Sequence, residues 1–361
     1  MTVLLIILLF IHVLSSKCSK YSFFLLFRRL SLRFYILLKG ELEIPPYATW
    51  NQVAETVSGL SNGTKGNSRN ELNLPIGISI SENDILYISD GFNNRIVVVP
   101  LNSSREIFSI SIASNIWQSQ FNYPYDVVVR NTALFANDKR NYRVVKMTLN
   151  GLNPTTVLDY NSTLDLCYLF VDDYDNIYLN DRSNHRVLFF CANSSNFTIV
   201  AGTGVNGSNN TQLNRPYGIY VDHENTLYVA DFGNHRVVKW IYNSTSGIVV
   251  AGNGTYGTSL SKIFFPTQVI VDKNGYMYIS ENVNHRIMRW APNSTYGMCI
   301  AACTGTNGST SYHLLSPHSL AFDSSGSLYV SDYRNNRVQK FQIRHIPSEY
   351  ITHIFSFYFK S

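Results

Sequence analysis

The sequence predicts an all-β protein, a six-bladed β-propeller with four-stranded blades. Three observations carry this prediction: one pattern recurs six times at intervals of about 50 residues, short apolar runs alternate with polar turns, and no helical period is present. Hydrophobic residues make up 45% of the chain and charged residues only 15%. This composition excludes a disordered chain and a coiled coil.

The six copies share three aligned columns of polar residues, and the repeat cores lie at 74–99, 123–147, 166–190, 215–240, 265–290 and 316–341. The acidic column is Asp90, Asp138, Asp181, Asp231, Glu281 and Asp332. The asparagine column is Asn93, Asn141, Asn184, Asn234, Asn284 and Asn335. The arginine column is Arg95, Arg143, Arg186, Arg236, Arg286 and Arg337. Because every copy contains them, these residues are predicted to be structural: the acid caps a turn, the asparagine tolerates left-handed backbone, and the arginine binds carbonyls or the acid.

Each copy contains the residues for four strands, as its fourth example shows. Apolar runs at 219–221 and 227–230 are followed by an alternating run at 236–240 and a run ending in small residues at 248–252. A similar small-residue run at 56–59 precedes the first copy, and none follows Phe341. We therefore expect a propeller over 53–343 whose N-terminal strand completes the last blade. The third copy is the weakest, since it has no proline and follows the shortest interval.

The repeat also resembles a known family. Asn184-His185-Arg186 and its two counterparts at 234–236 and 284–286, each within an Asp/Glu-x-x-Asn-x-Arg pattern, are similar to NHL repeats. The resemblance covers about residues 53–341 and implies a six-bladed propeller. It leaves the activity open, because the family includes adhesion and receptor ectodomains, RNA-binding regulators and lyases that process peptidyl-hydroxyglycine.

The lyase alternative can be tested on the column that follows the proline. The resemblance implies several histidines at this position, near the channel, whereas the column reads Ile76, Tyr125, Cys167, Tyr217, Thr267 and His318. One histidine does not hold a zinc ion. The remaining aligned histidines, His185, His235 and His285, are interpreted as turn fillers. We expect no catalytic residue, no metal and no cofactor.

The charge distribution argues against an RNA-binding regulator. The formal net charge is +5, but residues 1–40 carry +6 and residues 344–361 carry +1, so residues 41–343 have a net charge of −2. A propeller with this charge is not expected to bind nucleic acid.

The N-terminal residues predict export. An apolar run at 3–14 has the length of a signal-peptide core and is too short for a membrane span. We assign 1–16 to a signal peptide or membrane anchor, 17–50 to an apolar, basic tail or linker, and 344–361 to an unstructured tail. The expected location is extracellular, or membrane-anchored through 3–38 with the propeller outside.

Glycosylation sequons fit this location, and they fall mostly in polar stretches between apolar runs. The candidate asparagines are Asn62, Asn102, Asn161, Asn193, Asn196, Asn206, Asn209, Asn243, Asn253, Asn293 and Asn307. The state of Cys167, Cys191, Cys299 and Cys303 is left open. Cys299 and Cys303 would be about 13 Å apart on an extended strand, too far for a disulfide unless a bulge intervenes.

These observations predict a non-enzymatic binding propeller that presents one face to an unidentified protein or small ligand. The candidate contact residues are those of the post-proline column that differ between blades: Tyr125, Tyr217, Thr267 and His318. The alternatives are a lyase-like enzyme and an RNA-binding regulator.

Overall fold

The structure is a computed structural model that describes residues 42–102, 107–111 and 120–344. The predicted segment 1–16, most of the 17–50 tail and residues 345–361 lie outside these ranges. The described residues form six four-stranded antiparallel sheets and one two-stranded sheet. This arrangement confirms the predicted all-β, six-bladed propeller. No helix in the described ranges is long and apolar enough to cross a membrane.

The strands follow the predicted repeat closely. In chain order they are β1 (Thr49–Trp50), β2 (Glu55–Gly59), β3 (Pro75–Ile80), β4 (Ile85–Asp90), β5 (Arg95–Pro100), β6 (Phe108–Ile110), β7 (Pro124–Arg130), β8 (Ala133–Asp138), β9 (Arg143–Thr148), β10 (Thr155–Asp159), β11 (Leu166–Val171), β12 (Ile177–Asp181) and β13 (Arg186–Phe190). They continue as β14 (Phe197–Ala201), β15 (Ile219–Val221), β16 (Leu227–Asp231), β17 (Arg236–Trp240), β18 (Ile248–Ala251), β19 (Pro266–Val271), β20 (Met277–Glu281), β21 (Arg286–Trp290), β22 (Gly297–Ala301), β23 (Leu320–Phe322), β24 (Leu328–Asp332), β25 (Arg337–Phe341) and β26 (Ile343–Arg344).

Blades 1 to 5 are β3–β6, β7–β10, β11–β14, β15–β18 and β19–β22. The innermost strands, β3, β7, β11, β15, β19 and β23, contact one another in turn, and β23 returns to β3. They therefore surround a central channel. The core lies between blades, where Val187 of blade 3 packs with Val229 and Trp240 of blade 4. Each sheet is buried by the next, as expected of stacked β-sheets.

The N-terminal strand closes the ring, as predicted. Blade 6 has the order β2-β25-β24-β23, and β2 pairs antiparallel with β25 from Glu55↔Lys340 to Gly59↔Arg337. The last blade therefore joins strands from both ends of the propeller, which removes an exposed edge from the ring.

Folded structure begins before the predicted boundary at residue 53. Ile44 is fully buried, and β1 pairs with β26. The Trp50 indole donates a hydrogen bond to the Gly326 carbonyl at 3.0 Å, and Arg289 donates to the Pro46 carbonyl at 2.9 Å. The segment 44–50 therefore packs on blades 5 and 6. The repeat pattern did not predict this, because the segment is not part of any repeat.

The structure shows the state of the four cysteines at 167, 191, 299 and 303. Cys299 and Cys303 form a disulfide, with their Cα atoms 5.8 Å apart. The bulge that such a disulfide requires is present, because the register of β21 and β22 shifts between Cys299 and Ala301, and the chain then turns at Ala302, whose φ is +53°. Cys167 is a buried free thiol and Cys191 an exposed one.

Candidate functional site

The three repeated columns form one hydrogen-bonded unit in each blade. In blade 4, one oxygen of Asp231 accepts from the Asn214 backbone N–H at 2.7 Å, and the other accepts from Asn234 and from Arg236 Nε, both at 2.8 Å. Asn234 also donates to the Gly207 carbonyl in the loop that enters the blade. All six acids are fully buried and paired with their arginines. These contacts support the structural interpretation of the columns.

The residue between the asparagine and the arginine connects neighbouring blades. His185, His235 and His285 accept hydrogen bonds through Nδ1 from backbone N–H groups of the following blade, at 3.0–3.3 Å. Asn94 and Asn336 use their amide oxygens in the same way. These histidines lie in the turns, and they also connect neighbouring blades. Their backbone is the left-handed one, with φ of 53–54°, rather than that of the asparagine column.

The positions that vary between blades lie at one end of the channel, which we call the channel mouth. In each blade it comprises four residues: the residue before the proline of the repeat, the residue after that proline, and the two residues after the column acid. In blade 3, Leu166 takes the place of the proline. Around the channel at this end, Tyr125, Cys167 and Tyr168 are packed together with the partly buried Tyr217 and Tyr333. The innermost strands and the turns between second and third strands bring them together.

Aromatic rings form a continuous arc around the channel mouth. It begins at the exposed Phe92 of blade 1, whose ring centroid is 5.0 Å from that of Tyr123 in blade 2. From Tyr123 the arc continues through Tyr125, Tyr168, Tyr217, Phe232 and Phe265. The centroids of successive rings in this order are 6.1, 5.4, 6.1, 4.4 and 4.4 Å apart. It spans blades 1 to 5.

Cations lie over this arc. Lys139 is 4.6 Å from the centre of the Tyr125 ring, Arg140 is 4.6 Å from Tyr123, and Arg182 is 5.6 Å from Tyr217. The mouth positions together hold five cations and one carboxylate: Lys139, Arg140, Arg182, Arg215, Arg334 and Asp165. Cations over ring faces are attracted by the ring quadrupole. The channel mouth is therefore an aromatic surface with a local positive charge.

Asp165 holds two of these cations. It pairs with Lys139 at 2.7 Å and with Arg182 at 2.9 Å. Burial raises its pKa, but the hydrogen bond and charge of Lys139, with further contributions from Ser183 and Arg182, hold that pKa well below its ordinary value. The carboxylate is thus always ionised at neutral pH, and it orients the two cationic side chains.

Buried, uncharged groups lie among the rings of the channel mouth. The Tyr168 hydroxyl lies 3.1 Å from His318 Nδ1, and burial lowers the pKa of His318 to about 3. Burial also raises the pKa of Asp126 to about 8, although this carboxyl accepts hydrogen bonds from the Leu169 and Val127 backbone. In the described parts of the chain, no group of three or more His, Cys, Asp or Glu residues could hold a metal ion.

The structure places three of the four predicted contact residues together. Tyr125, Tyr217 and His318 meet at the channel mouth. Thr267 is fully buried and hydrogen-bonded to Ser280 and the Pro317 carbonyl, so it belongs to the scaffold. Sequence reasoning missed the cations, because it did not align the two positions after each column acid. That alignment alone would have found four of them, Lys139, Arg140, Arg182 and Arg334.

Comparison with known proteins agrees with this architecture. The family model for the NHL repeat matches residues 213–240 and 314–341. No curated protein matches the sequence.

Solved structures resemble the chain in fold at low sequence identity. A Bacteroides thetaiotaomicron protein of unknown function is 16% identical, with a TM-score of 0.65 over 82% of this chain and 76% of that one. An auxiliary nutrient binding protein from the same organism is 12% identical (TM-score 0.60, 85% and 79% covered). A gluconolactonase from Xanthomonas campestris is 11% identical (TM-score 0.56, 84% and 100% covered). The two repeat matches and the six-bladed propeller together are consistent with an NHL repeat protein.

Proposed function

We propose that the protein is a non-enzymatic binding propeller, a secreted or membrane-tethered glycoprotein, that binds an anionic ligand at its channel mouth. The ligand is an acidic protein segment or an anionic small molecule. One observation carries the proposal: the mouth positions break the six-fold symmetry of the repeat and gather cations among aromatic rings. Residues needed in every blade serve the fold, so a surface that differs in every blade is free to serve a ligand.

The chemistry of the mouth favours an anion. Arginine offers a planar fork of donors that matches carboxylate, sulfate and phosphate oxygens. Arg140 and Arg334 are exposed, and the partly buried Arg182 also donates to the Tyr217 hydroxyl at 3.1 Å. Because residues 41–343 carry a net charge of −2, the cations of the mouth form a local positive cluster on a mildly acidic propeller, and this cluster would steer an anionic partner to the mouth.

The titratable groups at the mouth support binding over catalysis. A general acid or base needs a pKa near the working pH. The pKa of His318 is far below 7, and burial raises the pKa values of Tyr125 and Tyr168 well above theirs in water. Asp126 is fully buried by its neighbours, so its carboxyl is out of reach of a ligand at the mouth.

Surface sequons support the export of the protein. The eleven sequon asparagines are all exposed. In Asn62, Asn161 and Asn253 the side-chain oxygen accepts from the backbone N–H two residues later, which leaves the amide nitrogen directed away from that turn. We expect the secreted protein to lose mass on treatment with an N-glycosidase, and an unchanged mass would contradict glycosylation.

Two anionic probes test the ligand chemistry: a sulfated oligosaccharide and a polyglutamate peptide, titrated into the full chain by calorimetry at physiological salt. The test variant is Arg140→Glu with Arg334→Glu, at the mouth. The matched control is Lys239→Glu with Lys273→Glu, which changes the net charge equally at the other end of blades 4 and 5. We expect at least one probe to bind, the mouth variant to lose about tenfold or more in affinity, and the control to retain it.

The two probes separate the possible sources of negative charge. Preference for polyglutamate indicates an acidic protein segment, and preference for the oligosaccharide indicates an anionic glycan. Equal losses in both variants would show that the attraction is not located at the mouth. Binding of neither probe would contradict the proposal.

A further inference from the structure

One blade junction lacks the side-chain connection found at the others. Blade 2 has Tyr142 where the other blades carry histidine or asparagine, and a tyrosine side chain offers no ring nitrogen or amide oxygen to the next blade. In blade 3 the corresponding backbone N–H is that of Asp165, and it donates instead to the Asp181 carboxylate of its own blade at 3.0 Å. This junction also has the shortest repeat interval and Leu166 in place of the proline.

A lysine–cysteine pair spans this junction instead. Lys139 Nζ, in the turn of blade 2, lies 2.8 Å from Cys167 Sγ on β11 of blade 3. Sulfur is larger than oxygen, so an N–H···S hydrogen bond should exceed the roughly 2.9 Å that is usual for N–H···O. The two atoms are closer than that. The thiol is fully buried, and the lysine side chain is 19% exposed.

We propose that Lys139 and Cys167 form a covalent, reducible N–O–S bridge, with molecular oxygen as the oxidant. The Lys139 ammonium, the Cys167 thiol and one O₂ give the bridge, one water and one proton. An N–O and an S–O bond form, and the N–H, S–H and O–O bonds break. Nitrogen and sulfur are oxidised and O₂ is reduced, with one oxygen atom retained in the bridge. The released proton passes to the Asp165 carboxylate, 2.7 Å from Nζ, and then to water.

Other contacts hold the pair in place for this reaction. Asp165 fixes Lys139 from one side and lies two residues before Cys167 on the same chain segment. The thiol faces the Asp165 backbone carbonyl at 3.6 Å, which directs its proton away from Nζ. The other described free cysteine, Cys191, is exposed and has no such partner arrangement in the described contacts. It therefore provides an internal control.

Peptide mapping of the full chain tests the bridge. The air-exposed protein is divided into two halves, one half is treated with dithiothreitol under denaturing conditions and alkylated, and both halves are then digested with trypsin. We expect a cross-linked pair of peptides containing Lys139 and Cys167, heavier than their sum by about 14 Da, one oxygen atom less two hydrogens. Reduction should release both peptides. Trypsin should fail to cleave after Lys139 only in the unreduced sample.

Two variants complete the design. Lys139→Arg keeps a cation beside Asp165 but cannot form the bridge, and Cys167→Ser removes the sulfur. Both should lack the cross-linked pair, while Cys191 stays alkylatable throughout. A gain of about 16 Da on the Cys167 peptide alone would indicate simple sulfenic acid and overturn the proposal. So would free Lys139 and Cys167 in air-exposed wild-type protein, a result that does not depend on whether the variants fold.

Discussion

At the scale of single residues, burial sets the importance of each arginine in the column. Arg337 is 1% exposed and donates to Asp332 and to four backbone carbonyls, including those of Ser61 and Ser309. Arg186 also pairs with its acid but is 20% exposed. The column arginine therefore binds more backbone groups in blade 6 than in blade 3.

We predict that Arg337→Ala lowers the free energy of unfolding by about 3–5 kcal/mol, because it leaves the Asp332 carboxylate buried without its charge partner. Arg186→Ala should cost about 1–2 kcal/mol, since water can reach the vacated site. Urea denaturation of both variants checks the order. Equal losses would contradict the assignment of the difference to burial.

His318 should make the fold sensitive to acid. Its folded pKa is about 3, below the ordinary value of 6.5, so its contribution to stability is complete above pH 6.5 and is lost as pH falls towards 3. Each unit of pKa difference corresponds to about 1.4 kcal/mol. His318→Gln should therefore flatten the fall in the free energy of unfolding between pH 6.5 and 4.

The wild-type protein, measured over the same pH range, provides the comparison. Asp126 acts in the opposite direction, because its raised pKa favours the fold at low pH, but it contributes equally to both proteins. A wild-type slope in His318→Gln would show that the histidine is not buried as a neutral group.

At the scale of elements, ring closure depends on how closely β2 approaches β25. Gly59 ends β2 with a φ of +84°, and an added Cβ would lie 2.3 Å from the Asn336 carbonyl oxygen and 2.7 Å from Arg337 Cα. Both contacts are with backbone, which cannot move aside without opening the strand pair. Glycine is required here by conformation and by space.

We predict that Gly59→Ala destabilises the protein by about 1–3 kcal/mol more than Gly305→Ala. Gly305 also has a positive φ, +73°, but an added Cβ there meets no atom within 4 Å. Comparing the two variants therefore separates the effect of the close contact with β25 from the effect of the positive φ. Thermal melts compare them, and equal shifts in Tm would contradict a steric role for the closing strand.

The strands and the closure could be predicted because they repeat. Six aligned copies define where each blade begins and ends, and an unmatched strand at 56–59 implies its partner. Features that occur once could not be predicted in this way. The clamp at 44–50, the turn that lets Cys299 reach Cys303, and the pairing of Asp165 with cations from two different blades depend on contacts between residues far apart in sequence or on a local bend.

At the scale of the whole molecule, the ring is held by a closing strand and by a clamp, and a truncation series separates the two. A chain starting at residue 42 keeps both, one starting at 53 loses the clamp 44–50, and one starting at 61 also loses β2. We expect the second to lose a few kcal/mol and the third several more, because blade 6 then has an open edge. Denaturant unfolding measures both steps. If the chain from 61 were as stable as the chain from 53, β2 would not close the ring.

The scaffold and the binding surface are separate parts of this molecule. The repeated acid, asparagine and arginine bond to each other and to the backbone, whereas the varied residues converge on the channel mouth. A ligand that binds there should contact the turns after the column acids. It should not contact the turns at the other end of the channel, such as 222–226.

Hydrogen–deuterium exchange, with and without whichever anionic probe binds, tests this most directly. We predict slower amide exchange at 139–142, 182–185 and 333–336 in the presence of the probe, and unchanged exchange at 222–226 and 272–276. Protection at 222–226 and 272–276, with none at the mouth turns, would contradict the claim that the channel mouth is the binding site.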